Sequence, residues 1–275
     1  TGANGYIGKN ITKFLLDNGY HVIAVDYKVD NIDSRSKIIE IDLFNLDVEN
    51  LYEYFNKPDI LLHLAWRDGF VHNSSRHIND FSSHFSFITR MVEEGVKHVA
   101  TIGTMHEVGH VEGAVDEFTS CNPTTQYGLA KLFLRKSLEI YFSNHKDVVF
   151  QWLRIYYIVG DDKYNNSVFT KIIQMERESK KTFPMTSGNN KYDFIDIQLL
   201  SEYISRSILQ TEIKGIINCS TGKPISLRTK IEEFLRINNY KIIPNFGEFP
   251  DREYDSPVVY GDNEKINRII STKKQ

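Results

Sequence analysis

Thr1-Gly2-Ala3-Asn4-Gly5-Tyr6-Ile7-Gly8 runs directly into Lys9-Asn10-Ile11-Thr12-Lys13-Phe14-Leu15-Leu16, whose apolar residues recur at helical spacing. Gly2, Gly5 and Gly8 stand three apart. At a turn, glycines let backbone N–H groups come close to phosphate oxygens, and the start of the following helix adds orphan donors and the positive end of its dipole. The pattern predicts a diphosphate cradle over Gly2, Asn4, Gly5, Tyr6, Ile7 and Gly8. Spaced glycines alone are a weak signal, because turns before helices are common. The residues downstream strengthen it: Asn18-Gly19 is a C-cap signal, and His21-Val22-Ile23-Ala24-Val25-Asp26 is an apolar strand ending in an acid. A carboxylate there accepts both ribose hydroxyls of an adenosine and repels a 2′-phosphate, so Asp26 favours NAD over NADP, with Lys28 as a partial offset. Such a turn normally comes after a buried strand, and here the turn comes first. The expectation is a piece of a longer chain, read without its first strand.

Alternation continues through the first 150 residues. Ser36 to Asp42 reads as a short strand whose end, Asp42-Leu43, falls near an adenine if the sheet is parallel. A helix is expected over Asp47 to Asn56, then Ile60-Leu61-Leu62-His63-Leu64-Ala65, an unbroken apolar run of the kind buried on both faces. Past its end lie Arg67, Asp68, His72 and Asn73, where a doubly wound sheet places ligand contacts. A helix over about Asn79 to Glu94 and a strand over Val96 to Gly103 come next. The fold class is α/β, a doubly wound parallel sheet. From Gly160 the pattern loosens: 161–166 is polar, Ser167 to Glu178 helical, Lys180 to Asn190 irregular. Tyr192 to Asp196 leads into a helix ending near Leu209, Gly215 to Ser220 is a strand, and the tail from Lys223 reads as one helix with a proline-rich, acidic stretch. The expected division is a nucleotide-binding domain over 1–159 plus 191–222, and a smaller substrate lobe over 160–190 plus 223–275.

Composition narrows the classes. The 275 residues are 41% hydrophobic and 25% charged, an ordinary globular balance, and a net charge of −3 with no basic run offers nothing to a nucleic-acid backbone. Cys121 and Cys219 are too few and too scattered for a disulfide framework or a zinc site. They point to a reducing compartment, the cytoplasm, and no metal is expected. No apolar run approaches the roughly 18 residues that a membrane span needs.

The chemistry is read from Gln126-Tyr127-Gly128-Leu129-Ala130-Lys131, at the head of a helix that runs to about Asn144. Positions four apart share a helix face, so the Tyr127 hydroxyl and the Lys131 ammonium can enter one cleft. A phenol titrates near ~10, and bringing it to about 7 takes roughly 4 kcal/mol of differential stabilisation. A neighbouring ammonium works in that direction, and so does an oxidised nicotinamide. Among fifteen tyrosines, one such pair is expected by chance. Position decides: Thr101-Ile102-Gly103-Thr104 ends a strand a short loop earlier and brings the Thr104 hydroxyl toward Tyr127. A hydroxyl there holds a carbonyl or alcohol while the tyrosine moves its proton, a hydride-transfer site.

These motifs resemble the extended short-chain dehydrogenase/reductases, in the NAD-dependent epimerase/dehydratase group that acts on nucleotide sugars. The resemblance covers essentially the whole chain and rests on Thr1 to Gly8, Asp26, Asp42-Leu43, His63-Leu64-Ala65, Thr104, Tyr127 with Lys131, Leu153-Arg154, Tyr192-Asp193-Phe194-Ile195, and Gly215 to Ser220 with Gly222. It implies a Rossmann-type fold, NAD as cofactor, Thr104, Tyr127 and Lys131 as catalytic positions, and contacts from Leu64, Ala65, Tyr127 and Lys131 to the cofactor, with Lys131 on the nicotinamide ribose. Substrate contacts are expected from Arg67, from His106 beside Thr104, and from Arg252, which resembles a late arginine that the family uses on the nucleotide diphosphate. Three departures stand out. Met105-His106 occupies the place where nucleotide-sugar 4,6-dehydratases carry Asp-Glu, which argues against dehydration. Tyr157 replaces a frequent Asn, and Tyr192 a usual Arg. Thr104-Met105-His106-Glu107 resembles branches that oxidise or reduce C4 of a deoxy-sugar nucleotide, with Glu107 read as a loop acid.

The expected activity is a 4-keto-sugar reductase or the matching 4-dehydrogenase. A C4 epimerase uses the same three groups, and a silent NAD-binding regulatory protein would keep the fold without the reaction. The Tyr127 helix also carries a second apolar stripe, Leu129, Leu132, Phe133 and Ile140, opposite Tyr127, Lys131, Leu134, Leu138 and Tyr141. Two stripes need two partners, and the outer one predicts a symmetric homodimer.

Overall fold

The glycine turn feeds α1 (Tyr6–Asp17), in a computed structural model that describes residues 1–160, 167–251 and 255–272. Gly5 caps α1 without a side-chain hydrogen bond, so the cap itself offers no acceptor to the first-turn N–H groups. At the far end the Tyr20 N–H donates to the Leu15 carbonyl and the Gly19 N–H to that of Leu16, with Gly19 at φ +83°. That is how a glycine stops a helix. Then come β1 (Ile23–Asp26), β2 (Lys37–Glu40), α2 (Leu51–Tyr54), β3 (Leu61–His63), α3 (Arg76–Asn79), α4 (Phe81–Glu94) and β4 (His98–Thr104). A 3-10 turn over Met105–Glu107 precedes β5 (Gly113–Val115), α5 (Gln126–Ser143), β6 (Val149–Ile155), β7 (Tyr157–Val159), α6 (Val168–Arg177), β8 (Thr182–Pro184) and β9 (Lys191–Asp196). The remainder is α7 (Ile197–Ile208), β10 (Gly215–Cys219), β11 (Pro224–Ser226), α8 (Leu227–Asn238), β12 (Ile243–Asn245), β13 (Val258–Gly261) and α9 (Glu264–Ser271).

β3, β4, β6 and β10 lie side by side in the order β10-β6-β4-β3, all parallel, and β1 pairs with β2 in the same sense. Thr1–Ala3 spans the space between the two groups: the Leu64 N–H donates to the Thr1 carbonyl and the Ala3 N–H to the Val25 carbonyl, each at 3.3 Å. Every residue of β4 is buried, the requirement for a strand covered on both faces. One face meets α4 and α5 through Phe87, Ile88, Met91, Leu134 and Leu138; the other meets α1, α7 and α9 through Ile11, Leu200, Ile204 and Ile266. The fold is α/β, a Rossmann-type doubly wound sheet. Because the strands are parallel, their C-terminal ends, Asp26, His63 and Thr104, open on one edge.

A second sheet, β11-β9-β13-β5 with β7 on β9, stands over that edge and packs with α6 and α8 around Phe169, Ile172, Phe194 and Ile231. Three expectations differ. The helix over Asp47 to Asn56 contracts to α2, because the Asn50 side chain accepts from the Glu53 N–H and caps it late, while Asn56 and Lys57 adopt positive φ just beyond its end. The irregular stretch from Lys180 contains β8, paired with β12. The tail holds α8 and α9 rather than one helix, and α9 buries Ile266 and Ile269 against the Rossmann layer, inside the range expected for the substrate lobe.

Candidate active site

At the opening turn, crowding marks the closed side. Gly2 has φ +69°, and a Cβ there would stand 2.6 Å from the Ala65 nitrogen; at Gly8 it would meet the Ala3 Cα at 2.8 Å. The turn is thus pressed onto Leu64-Ala65 at the end of β3. At Gly5 the one close neighbour of such an atom is the Gly2 carbonyl oxygen at 3.2 Å, so this glycine borders the open side. Asp26 ties the turn down: Oδ2 accepts from the Asn4 N–H (3.0 Å) and Oδ1 from the Tyr27 N–H (2.8 Å), while Asn4 Oδ1 accepts from the Asn31 N–H (2.9 Å). The Lys28 N–H approaches Oδ1 as well, at 3.4 Å, and of the about four acceptor sites of a carboxylate one remains for a ribose hydroxyl. Tyr6 donates its hydroxyl to the Gly160 carbonyl, and Ile7 packs in the core beside Ile11. Asp42 accepts from the Phe44 N–H (3.0 Å) and Leu43 is buried in the core. A glycine cradle backed by a strand end, with an acid at the end of the neighbouring strand, fits a dinucleotide.

Opposite stands the head of α5. Thr125 caps it by accepting from the Gly128 N–H, the Tyr127 N–H donates to the His72 carbonyl at 2.8 Å, and the Gln126 N–H to Asn73 Oδ1 at 3.3 Å. The Thr104 hydroxyl at the end of β4 accepts from the His106 N–H at 3.3 Å and lies beside the Tyr127 phenol, where it favours the ionised form. Among the described residues four rings surround that phenol: His72 stacked at 5.6 Å, His77 at 5.3 Å, Trp66 at 6.0 Å and His106 at 6.1 Å between centroids. One turn on, Lys131 is 3% exposed; its Nζ donates to the Ile102 carbonyl at 2.8 Å and lies 3.8 Å from the centre of the Trp66 ring.

Burial governs both groups. It pushes the phenol up to about 12, with the Thr104 hydroxyl working downward and the Glu107 charge upward. It lowers Lys131 to about 7, with Glu107 working upward. The expectation that Lys131 acidifies Tyr127 is therefore not met by the chain alone. The ammonium is turned to a carbonyl and an indole, no carboxylate among the described residues pairs with it, and loss of water holds the phenol in its protonated form.

The other expected residues divide. His106 joins the ring cluster, tilted on His72 at 4.5 Å, and burial lowers it to about 4, so it is a neutral group near the phenol. Arg67 is paired: Nε and a terminal nitrogen fork onto Asp80, and the guanidinium lies over the Phe44 ring at 4.0 Å. Asp68 accepts from the Ser74 hydroxyl. Glu107 is no loop acid but fully buried, receiving Arg154 Nε (2.6 Å), Arg135 Nε (3.3 Å) and the Trp152 indole N–H (3.1 Å). Tyr157 and Tyr192 pack ring to ring at 4.3 Å. Arg252 and the stretch 161–166 lie outside the described residues. Trp66 belongs to the strand end Ala65-Trp66-Arg67-Asp68-Gly69, where a doubly wound sheet places ligand contacts, whereas nothing in the local sequence marks His77.

Residues 1–219 match the family model described as the NAD dependent epimerase/dehydratase family. A curated relative, dTDP-6-deoxy-L-talose 4-dehydrogenase (NAD(+)) of Aggregatibacter actinomycetemcomitans, is 45% identical over 264 residues, covering 95% of this chain and 97% of the relative. Among solved structures, a UDP-N-acetylglucosamine 4-epimerase from Methanobrevibacter ruminantium M1 superposes with a TM-score of 0.85 at 19% identity, over 100% of this chain and 91% of that one. A UDP-glucose-4-epimerase from Stenotrophomonas maltophila with bound NAD gives 0.84 at 18% identity, over 100% and 92%. These two structures speak to the fold alone.

Proposed function

This chain belongs to the NAD dependent epimerase/dehydratase family, and from that premise we propose that it is an NAD-dependent nucleotide-sugar oxidoreductase that interconverts a C4 alcohol and a 4-keto group, its substrate a 6-deoxyhexose on a nucleoside diphosphate. The observation that carries this reading is Thr104 beside the Tyr127 phenol with Lys131 one helical turn on, in a chain 45% identical to a named 4-dehydrogenase.

Gly2, Asn4, Gly5, Tyr6, Ile7 and Gly8 would hold the diphosphate on backbone N–H groups, Asp26 the adenosine ribose, Asp42 and Leu43 the adenine, and Leu64 and Ala65 the inner half. Bound NAD supplies the acceptor or donor of hydride and, when oxidised, a positive ring. In reduction the Tyr127 hydroxyl gives its proton to the carbonyl oxygen, while the Thr104 hydroxyl holds that oxygen in place. The chain already keeps the phenol in this donor form. In oxidation the same phenol oxygen receives the alcohol proton, and the Lys131 ammonium offsets the phenolate charge left before that transfer. His72, His106 and Trp66 exclude water around the phenol, and His106, Arg67 and Arg252 are assigned to the sugar nucleotide. The second sheet with α6 and α8 would supply the substrate side of the cleft, and α9, though inside 223–275, goes with the Rossmann layer.

The outer face of α5 supports a homodimer. Leu129, Phe133 and Ile140 are exposed, and Phe133 meets Phe81 of α4 at 4.5 Å, so two adjacent helices share one apolar surface. Cys121 and Cys219 are both free thiols, in keeping with a reducing, cytoplasmic setting, and no described helix is long and apolar enough to cross a membrane.

The test is incubation of the protein with NAD and a panel of 4-hydroxy and 4-keto nucleotide sugars while NADH absorbance is followed. A net change with the 6-deoxy members is expected. Isomer formation without absorbance change would make the chain a C4 epimerase, and inertness toward every member with NAD bound would make it a silent binding protein.

A further inference from the structure

Lys131 is buried among groups that do not neutralise it. The Ile102 carbonyl on β4 takes one of its protons, and the Trp66 ring covers it at 3.8 Å. The titratable groups that act on it or feel its charge are Glu107 on the 3-10 turn, His63 on β3 and His84 on α4, with Tyr127 one turn back on its own helix. Both histidines are neutral: burial first and then the neighbouring charges hold His63 well below its ordinary value and His84 at about 3. A desolvated ammonium in such surroundings gains most from the face of an indole.

The plane of that indole is fixed by its own neighbours. Trp66 Nε1–H donates to His77 Nδ1 at 3.1 Å. With Nδ1 accepting from the indole, the proton of the His77 ring sits on Nε2, which donates to the Val71 carbonyl at 2.9 Å. His84 stacks on the indole at 4.3 Å and 12°, and is itself bonded to His63 at 2.9 Å. The residue after Val71 is His72, whose carbonyl receives the Tyr127 N–H. One strut, Trp66 to His77 to Val71, thus connects the surface under Lys131 to the loop that seats the head of the Tyr127 helix.

We propose that Trp66, held in plane by His77, is a positioning residue for the proton-transfer pair: its indole face favours the charged form of Lys131 and holds it one helical turn from Tyr127, and the His77 strut sets the loop that seats Tyr127. The inference rests on reading Tyr127 and Lys131 as that pair.

The test compares Trp66→Phe, Trp66→Leu, His77→Gln and His77→Leu with the parent chain. The first readout is the titration midpoint of the Lys131 ammonium in cofactor-free protein, followed by NMR of 15N-labelled lysine side chains. The second is the pH profile of kcat/KM. In Trp66→Leu the midpoint should fall by about one pH unit, tenfold in proton affinity, and the alkaline limb of kcat/KM should move to lower pH with it. Trp66→Phe keeps a π face and should move both less. His77→Leu should shift the limb in the same direction, and His77→Gln, which keeps an acceptor and a donor, should restore it. Variants that lose activity with midpoint and limb unmoved, or Phe and Leu variants that behave alike, would reduce Trp66 to packing and overturn the proposal. Should Trp66→Leu not fold, the Trp66→Phe and His77 pairs carry the same decision. The two readings fail separately: a shifted midpoint without turnover of any nucleotide sugar sinks the activity alone, whereas turnover with an unmoved midpoint sinks the positioning role alone.

Discussion

Two successive turns of α5 bury a cation each, Lys131 and Arg135, both 3% exposed, and treat them in opposite ways. Arg135 meets two carboxylates, Glu107 at 3.3 Å and Glu139 at 2.6 Å. Burial works against its charge first, but those acids outweigh it and hold the guanidinium above its ordinary range. Lys131 meets a carbonyl and an indole, and burial wins, bringing it to about 7. Four residues of sequence separate a cation built to stay charged from one left poised. A buried charge with matched carboxylates is structure; the same charge without them costs stability and is kept where chemistry uses it.

The largest effect expected from disturbing this contrast is on turnover. Tyr127→Phe should lower kcat by roughly 10³-fold, as loss of a general acid–base group does, while NAD affinity measured by calorimetry stays within a few-fold. A variant that retains most of its turnover would remove the phenol from the reaction. Next comes stability. Arg135→Ala leaves the buried Glu107 carboxylate with Arg154 as its one remaining ion-pair partner among the described residues and should cost about 3 kcal/mol in chemical denaturation. Lys131→Met, which relieves an uncompensated charge, should be neutral or stabilising yet inactive. Equal losses in the two variants would erase the distinction between them.

The pH dependence of folding is graded rather than all at once. His84 and His106 have folded values near 3 and 4, and His63 lies well below 6.5. Between those values and 6.5 the unfolded chain binds more protons, so stability should fall as pH drops from 6.5 toward 4. Lys131, lowered from 10.5 to about 7, has the same sign in a higher window, and stability should rise from pH 7 toward 10.5 by at most about 1.4 kcal/mol per unit. The weakest effect on chemistry belongs to the outer face of the same helix. Phe133→Glu should convert a dimer to monomer in sedimentation velocity and leave kcat unchanged; a parent chain that sediments as a monomer at micromolar concentration would remove the dimer.

Features written in local pattern were legible. The glycine turn, the acid closing β1, the all-apolar β3 and the Tyr127–Lys131 spacing each depend on residues within one element, so periodicity reveals them. The second sheet was not legible, because strands as short as Gly113–Val115 and Thr182–Pro184 take meaning only from partners far away, Val258–Gly261 and Ile243–Asn245. Glu107 reads as a loop acid for the same reason: Arg135 and Arg154 lie 28 and 47 residues further along the chain. The pKa of Tyr127 went the other way from spacing alone, since four residues of separation bring side chains near each other but do not say that Ile102 and Trp66 claim the ammonium first.

The central claim is that hydrogen leaves or joins C4 as hydride while Tyr127 handles the proton on the attached oxygen. Its most direct test is a nucleotide 6-deoxy-sugar carrying deuterium at C4, turned over with NAD. The expected result is deuterium recovered in the reduced cofactor with a primary isotope effect on kcat/KM, both lost in Tyr127→Phe. Label retained at C4 after turnover, or released to water, would contradict the account.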